Sequence, residues 1–184
     1  IFKQDYSITG LGSTTKSIKV YIDENNCLKI IDTPGWEAGN EKNNEKMKKE
    51  IFKKISEHEK SKDISEMIHC IWYCVNAEAR ILHDVEKDFI RSIKNIPVII
   101  VITNSGYISR AVEVEKYIEG LNLGQKAIIK VLAKKIEDKE SFGLEDLVNK
   151  TKECLPEFIQ KTFCRIQKVC IVSKRKYAIC SIVL

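Results

Sequence analysis

Between residues 28 and 35 the chain reads Leu28-Lys29-Ile30-Ile31-Asp32-Thr33-Pro34-Gly35, an apolar segment that ends in an acidic residue and a tight turn. The apolar part has the composition of a buried strand, and the Pro and Gly then favour a turn. Asp32 therefore stands at the carboxyl end of a strand, which is where α/β folds bind ligands. A carboxylate at this place suits Mg²⁺, and a glycine such as Gly35 lets a backbone N–H approach a phosphate closely. An ordinary surface turn can have the same Asp-Thr-Pro-Gly sequence, so the flanking elements are needed to distinguish a phosphate-binding segment from such a turn.

The residues before this stretch predict a β-hairpin. Lys16–Ile22 alternates between apolar and polar positions, which puts Ile18, Val20 and Ile22 on one half-buried face. A polar turn over residues 23–26 leads to the strand that ends at Ile31. The two strands are therefore expected to pair antiparallel.

The residues after this stretch predict alternating helices and strands. Three apolar runs are short enough for buried parallel strands: 67–75, 98–102 and 126–133. Apolar residues at helical spacing mark the segments around them: 85–93, 111–121 and a last helix from Gly143-Leu144. A further amphipathic helix lies within 36–65, with its apolar stripe at Met47, Ile51, Phe52 and Ile55. This order predicts an α/β fold with a doubly wound, mostly parallel sheet and one antiparallel edge hairpin.

The composition limits the classes of protein to which the chain can belong. Its 184 residues suffice for one domain with its own core, and no apolar run reaches the about 18 residues that a membrane span needs. The net charge of +5 favours mild attraction to anions without naming a partner. The seven cysteines include no Cys-x-x-Cys pair and the three histidines lack ligand spacing. This pattern argues against a disulfide framework and a zinc site, and it favours a reducing compartment.

Three more short segments stand beside predicted strands, in a fixed order along the chain. They are Thr14-Thr15 in a glycine-flanked loop before the hairpin, Thr103-Asn104-Ser105-Gly106 after the strand at 98–102, and Ala133-Lys134 after the last strand. Together with Asp-Thr-Pro-Gly, this order resembles the G domain of P-loop GTPases, in particular the Era-related, 50S ribosome-binding branch. The resemblance extends over residues 1–160.

The resemblance implies a Ras-like G domain lacking its first strand at 1–156, followed by a basic amphipathic helical extension at 157–184. It implies a switch protein that binds GTP or GDP with Mg²⁺ and changes conformation on hydrolysis. Hydrolysis is expected of the full-length protein, and the chain as given is expected to be inactive. The expected partners are the guanine nucleotide and an effector protein on the switch loops, with a membrane surface or a ribosome as further options. The expected location is cytoplasmic or membrane-peripheral.

The resemblance also assigns roles to individual residues. Thr15 and Gly35 would sense the terminal phosphate, while Asp32 and Thr15 would hold Mg²⁺. The residues expected beside the base come from the two later segments: Asn104, Ala133 and Lys134.

Three features depart from the family pattern. The phosphate-binding loop Gly-x4-Gly-Lys-Ser/Thr has no counterpart in the sequence. Gly106 stands where the family has the Asp that binds guanine, and Trp36 stands where Ras-like members have the Gln that orients water. Two alternatives therefore stay open. One is a degenerate G domain acting as a nucleotide-independent protein-interaction module, and the other is an ATP-using or non-nucleotide α/β protein with a coincidental turn.

Gly106 has a direct consequence for base choice. Without a carboxylate at this position the exocyclic amine of guanine lacks its acceptor, so the sequence predicts less than about tenfold discrimination between GTP and ITP. Glu113 and Glu115, on the helix that follows, are the acids that the sequence offers as replacements.

The missing phosphate-binding loop predicts weak nucleotide binding by the chain as given. That loop supplies most of the phosphate contacts in the family, and each tenfold loss of affinity corresponds to about 1.4 kcal/mol. We expect calorimetric titration to give a dissociation constant of about 1 mM or weaker for both GTP and GDP. A micromolar constant would contradict this expectation.

Overall fold

The computed structural model describes residues 17–22, 28–36, 39–63, 66–78 and 82–166 of the chain. It has an α/β architecture in which the described residues up to 68 form one compact unit and those from 69 onward form a second. Thr15 and the turn at 23–26 lie outside the described residues. The boundary between these two units differs from the boundary that the resemblance implies, between a G domain at 1–156 and a helical extension at 157–184. That second boundary stays a prediction.

The first unit contains the predicted hairpin. Strand β1 (Lys19–Ile22) pairs antiparallel with β2 (Lys29–Asp32), and Lys19 lies opposite Asp32. Val20 and Ile22 are 51% and 49% exposed, so the prediction that they form a half-buried face is wrong. Alternation tells which residues share a face of a strand, whereas burial depends on whether another layer covers that face.

The same unit contains helix α1 (Glu41–Glu59), which lies inside the predicted range of 36–65. The Asn40 side chain accepts a hydrogen bond from the Asn43 N–H at 3.3 Å and caps the first turn. Met47 and Ile55 are buried as predicted, and Asn44 is buried with them. The Lys- and Glu-rich remainder of the helix faces solvent, which explains the high charge of this segment.

The second unit is built on a three-stranded parallel sheet. Strands β3 (Ile71–Asn76), β4 (Val98–Thr103) and β5 (Ala127–Lys130) lie in the order β3-β4-β5. The parallel strands predicted from the three apolar runs are therefore confirmed. The described strands fall into two sheets, whereas the sequence predicts one mixed sheet with the hairpin at its edge.

Helices cover both faces of the parallel sheet. Helices α2 (Asp84–Ser92) and α3 (Ile108–Gly120) lie on one face, where the Tyr73 hydroxyl donates to Glu86 at 2.7 Å and Lys130 pairs with Glu115. Helix α4 (Leu144–Cys154) covers the other face, where Trp72 Nε1 donates to Thr151 Oγ1 at 2.9 Å. This arrangement agrees with the predicted α/β architecture.

The core of this unit has two apolar layers, one under each set of helices. Ile99 and Val101 pack with Val131 and Leu147 beneath α4, while alternate residues of β4 face the opposite helices. Helix α5 (Glu157–Ile166) packs beside α4, and its Phe163 and Cys164 are buried. In the described part of the chain, no helix is both long and apolar enough to cross a membrane.

Gly143, just before α4, fixes how this helix joins the sheet. Its φ is +77°, a left-handed conformation that side chains disfavour. A Cβ at this position would overlap the carbonyl oxygen of Lys130 and would lie 3.2 Å from the Cα of Val131. Backbone atoms cannot move away as a flexible side chain can, so only glycine fits here.

We expect Gly143→Ala to lower the free energy of unfolding by about 3 kcal/mol or more, because steric overlap adds to the left-handed strain. Urea denaturation measures the change. Two matched variants separate the two causes. Gly124 also has a positive φ but open space around it, so Gly124→Ala is expected to lower stability by about 1–2 kcal/mol. Gly120 has neither constraint, so Gly120→Ala leaves stability unchanged or raises it by up to about 1 kcal/mol. An equal change in the free energy of unfolding in all three variants would contradict the role of steric overlap and left-handed strain at Gly143.

Candidate functional site

A pocket of about 210 Å³ lies at the carboxyl edge of the parallel sheet. Each of the three strands contributes residues from the loop that follows it. Glu78 follows β3, whereas the other lining residues follow β4 and β5: Asn104, Gly106, Tyr107, Ile136, Glu137 and Lys139. This edge is where open α/β sheets bind their ligands, so the location agrees with the expectation from sequence.

The loop after β4 forms one wall and is held rigidly. Ser105 is fully buried, its hydroxyl donates to the Ile102 carbonyl at 2.8 Å, and its N–H donates to the Val131 carbonyl at 3.2 Å. Asn104 has a φ of +54°, a left-handed conformation that Asn tolerates better than most residues. These hydrogen bonds fix Ser105, and they thereby also fix its two chain neighbours, Asn104 and Gly106, at the pocket.

The opposite wall is a small hairpin formed by residues 132–142. Leu132 pairs with Phe142, and Ile136 pairs with Lys139 through two backbone hydrogen bonds of 3.1 and 3.0 Å. Glu137, in the turn, has a φ of +52°. Left-handed backbone at a Glu costs roughly 1–2 kcal/mol, and such strain is concentrated at functional sites.

The two walls meet through Tyr107 and Lys139. The Lys139 ammonium lies 3.9 Å from the centroid of the Tyr107 ring, an attractive cation–π geometry. A Cβ on Gly106 would lie 3.7 Å from Leu132 Cδ1 and 3.8 Å from Lys139 Cδ, which is ordinary contact. Gly106 therefore faces the hairpin at close range, and its backbone conformation does not itself require glycine.

The acids at the pocket differ from those that the sequence suggested. Glu113 forms an ion pair with Arg110 at 3.8 Å and Glu115 pairs with Lys130, and neither lines the pocket. Glu78 and Glu137 line it instead, and within the described ranges their carboxylates have no hydrogen-bond or ion-pair partner. Sequence reasoning missed Glu78 although it stands two residues after the end of β3, a position that could have identified it.

The turn that carries Glu78 is anchored to the sheet. The buried Ala77 donates its N–H to the Thr103 carbonyl at 2.9 Å, and the Glu78 N–H donates to Asn76 Oδ1 at 3.0 Å. This turn is the third wall of the pocket, and its backbone is hydrogen-bonded to β4.

The predicted base-binding residues have different places around this pocket. Asn104 lines it. Ala133 and Lys134 lie near the base of the hairpin at 132–142, where both are exposed, and they are not among the lining residues. All three belong to loops at the same edge of the sheet, as their positions after β4 and β5 predict.

The predicted phosphate and metal residues belong to the first unit. Asp32 is the last residue of β2 and is partly buried. Gly35 is exposed, and among the described residues beyond its chain neighbours no atom lies within 4 Å of the place where a Cβ would stand. Mg²⁺ keeps several waters and binds through one or two carboxylates plus phosphate, so a single Asp fits this metal. The described ranges contain no group of three or more His, Cys, Asp or Glu side chains that could hold a metal ion by themselves.

Two cysteines meet beneath the sheet and do not form part of the pocket. Cys70 and Cys154 pack against the cluster of Ile99, Val101, Val131 and Leu147. Burial, together with the neighbouring Cys154 thiol, raises the pKa of Cys70 to about 12. Since the thiolate is the reactive form, Cys70 is chemically inert and behaves as a small apolar side chain.

Comparisons of the chain with protein-family models, with curated proteins and with solved structures gave no match. Any functional assignment therefore rests on the residues and on the geometry described above.

The left-handed conformation of Glu137 gives a test of strain at the pocket. We expect Glu137→Gly to raise the free energy of unfolding by about 1 kcal/mol, because glycine adopts this conformation without a steric penalty. Asp138 lies in the same turn without a positive φ, so Asp138→Gly is expected to lower stability by about 0.5–1 kcal/mol. Urea denaturation of the two variants measures both changes. The same sign in both variants would show that the turn stores no strain at Glu137.

Proposed function

We propose that this chain is a GTPase-type G domain that binds a guanine nucleotide with Mg²⁺ and changes conformation when GTP is hydrolysed. The observation that carries the proposal is the pocket at the carboxyl edge of the parallel sheet. It lies between the loop at 104–107, which contains the expected base-binding residue Asn104, and the hairpin at 132–142, whose base contains Ala133 and Lys134 outside the pocket lining.

The lining of the pocket suits a flat, polar heterocycle. Tyr107 and Ile136 are 60% and 48% exposed and offer apolar surface for the faces of a ring. The Asn104 amide can both donate and accept hydrogen bonds at the ring edge. Binding sites for small molecules commonly combine such apolar walls with a few fixed polar groups.

In this proposal residues of the Asp-Thr-Pro-Gly turn act on the phosphates. The Asp32 carboxylate would accept hydrogen bonds from water bound to Mg²⁺, and the exposed Gly35 would donate its backbone N–H to the terminal phosphate. Thr15, outside the described residues, would contribute its hydroxyl to the metal. When bound, Mg²⁺ neutralises charge on the phosphates.

The proposed base site can be tested by titrating the ¹⁵N-labelled chain with GMP, which does not depend on a triphosphate-binding loop. We expect saturable shifts in the millimolar range that are concentrated at the amides of residues 104–107 and 136–139. AMP, which lacks the N1–H and the 2-amino group, is the control ligand and is expected to bind more weakly.

Two exposed isoleucines provide matched variants for this titration. Ile136 lines the pocket, whereas Ile108 is 65% exposed and does not line it. We expect Ile136→Ser to weaken GMP binding about fivefold through lost apolar contact, and Ile108→Ser to leave binding unchanged. If GMP causes no saturable shifts, the interaction module without nucleotide is the better account of the chain.

Trp36 gives a prediction about turnover. It follows the Asp-Thr-Pro-Gly turn and is partly buried, and its indole has one N–H donor but no acceptor with which to orient an attacking water molecule as a Gln amide does. We expect slow intrinsic GTP hydrolysis in the full-length protein and an increase of at least about tenfold, or 1.4 kcal/mol, in Trp36→Gln. Single-turnover measurements check this, with Trp36→Phe as the control that leaves the rate low. Fast hydrolysis by the unmodified protein alone would refute this role of Trp36.

A further inference from the structure

We propose that Glu137 is the carboxylate that recognises guanine at this pocket, by accepting hydrogen bonds from N1–H and from the exocyclic amine. The inference rests on the proposed function, since it names the residue that selects the base. With a carboxylate at Glu137, we expect stronger discrimination between guanine and hypoxanthine nucleotides than Gly106 alone predicts.

The hairpin at 132–142 lies directly opposite Gly106. A side chain at 106 would begin in contact with Leu132 and Lys139, so the hairpin stands where the family's Asp side chain would project. Glu137 lies two residues before Lys139, in the turn of that same hairpin, and lines the same pocket. A carboxylate missing from one wall is thus available from the wall opposite.

Two lysines of the hairpin have contacts with groups other than the Glu137 carboxylate. Lys139 lies over the Tyr107 ring, and Lys135 pairs with Glu140. Within the described ranges the Glu137 carboxylate has no ion-pair or hydrogen-bond partner, so it is available as an acceptor. A ligand that brings two adjacent N–H donors satisfies such an acceptor best, and guanine presents them at N1 and N2.

The backbone of Glu137 has a left-handed φ of +52° that a glycine would adopt without strain. Strained conformations of this kind cluster at functional sites, which supports a role for the Glu137 carboxylate. Glu78 shares the pocket but has ordinary backbone geometry and projects from the turn after β3, so we assign it no contact with the base.

The test compares GMP with IMP, which differ only in the exocyclic amine, in NMR titrations of the 184-residue chain. We expect the unmodified chain to prefer GMP by about tenfold, since an acceptor that loses its donor is left unpaired. Glu137→Gln is expected to reduce the preference to about twofold or less, because its amide offers one neutral acceptor in place of a carboxylate.

Two controls make the result specific. Asp138→Asn removes one negative charge from the same turn but outside the pocket, and Glu78→Gln removes one from the third wall. Both are expected to keep the preference for GMP. Preserved amide dispersion in each spectrum shows that the variants remain folded.

The outcomes separate this inference from the proposed function. Saturable GMP binding at the pocket with a preference that Glu137→Gln leaves unchanged, or that Glu78→Gln abolishes, overturns the assignment to Glu137 alone. Equal binding of GMP and IMP by the unmodified chain also overturns it and leaves the proposed function standing. An absence of GMP binding at the pocket overturns both.

Discussion

The burial of β4 between two neighbouring strands and two layers of helices is the constraint on which the second unit depends. Ile99, Ile100 and Ile102 have no exposed surface, and parallel partners pair with the strand on both edges. Such a strand cannot shift its register without exposing apolar side chains or leaving backbone groups unpaired. Its carboxyl end is therefore a fixed point, and the loops around the pocket are attached to it.

Hydrogen bonds from two loop residues attach the walls of the pocket to this strand and its neighbours. Ser105 links the loop after β4 to the backbone of Ile102 and Val131, and Ala77 links the turn after β3 to Thr103. Gly143 lets α4 start against the Lys130 carbonyl, which closes the hairpin at 132–142 at its base. The pocket is thus preorganised on all three sides, a property that lowers the entropic cost of binding a ligand.

The acids around the sheet differ in whether a neighbouring group engages them. Glu86, Glu115 and Glu140 are each engaged by a neighbouring hydroxyl or ammonium group. Glu78 and Glu137 line the pocket without such a partner in the part of the chain that the structure describes. Their place in the pocket, together with the lack of a partner, makes these two carboxylates accessible to a ligand.

The sequence by itself determined the order of elements and the edge of the sheet where the site lies. Apolar runs and helical spacing are local properties, so they predicted the hairpin, the parallel strands and the helix that begins after Gly143. The resemblance named Asn104, and its place directly after a buried strand puts it at that edge. Only the tertiary structure decided which loop residues line the pocket, since Glu137 reaches it through a hairpin whose pairing links residues far from β4 in sequence. The tertiary structure also decided that Glu115 forms an ion pair with Lys130 and that Val20 and Ile22 stay exposed. Contacts and coverage of this kind depend on the packing of distant segments, which local patterns do not encode.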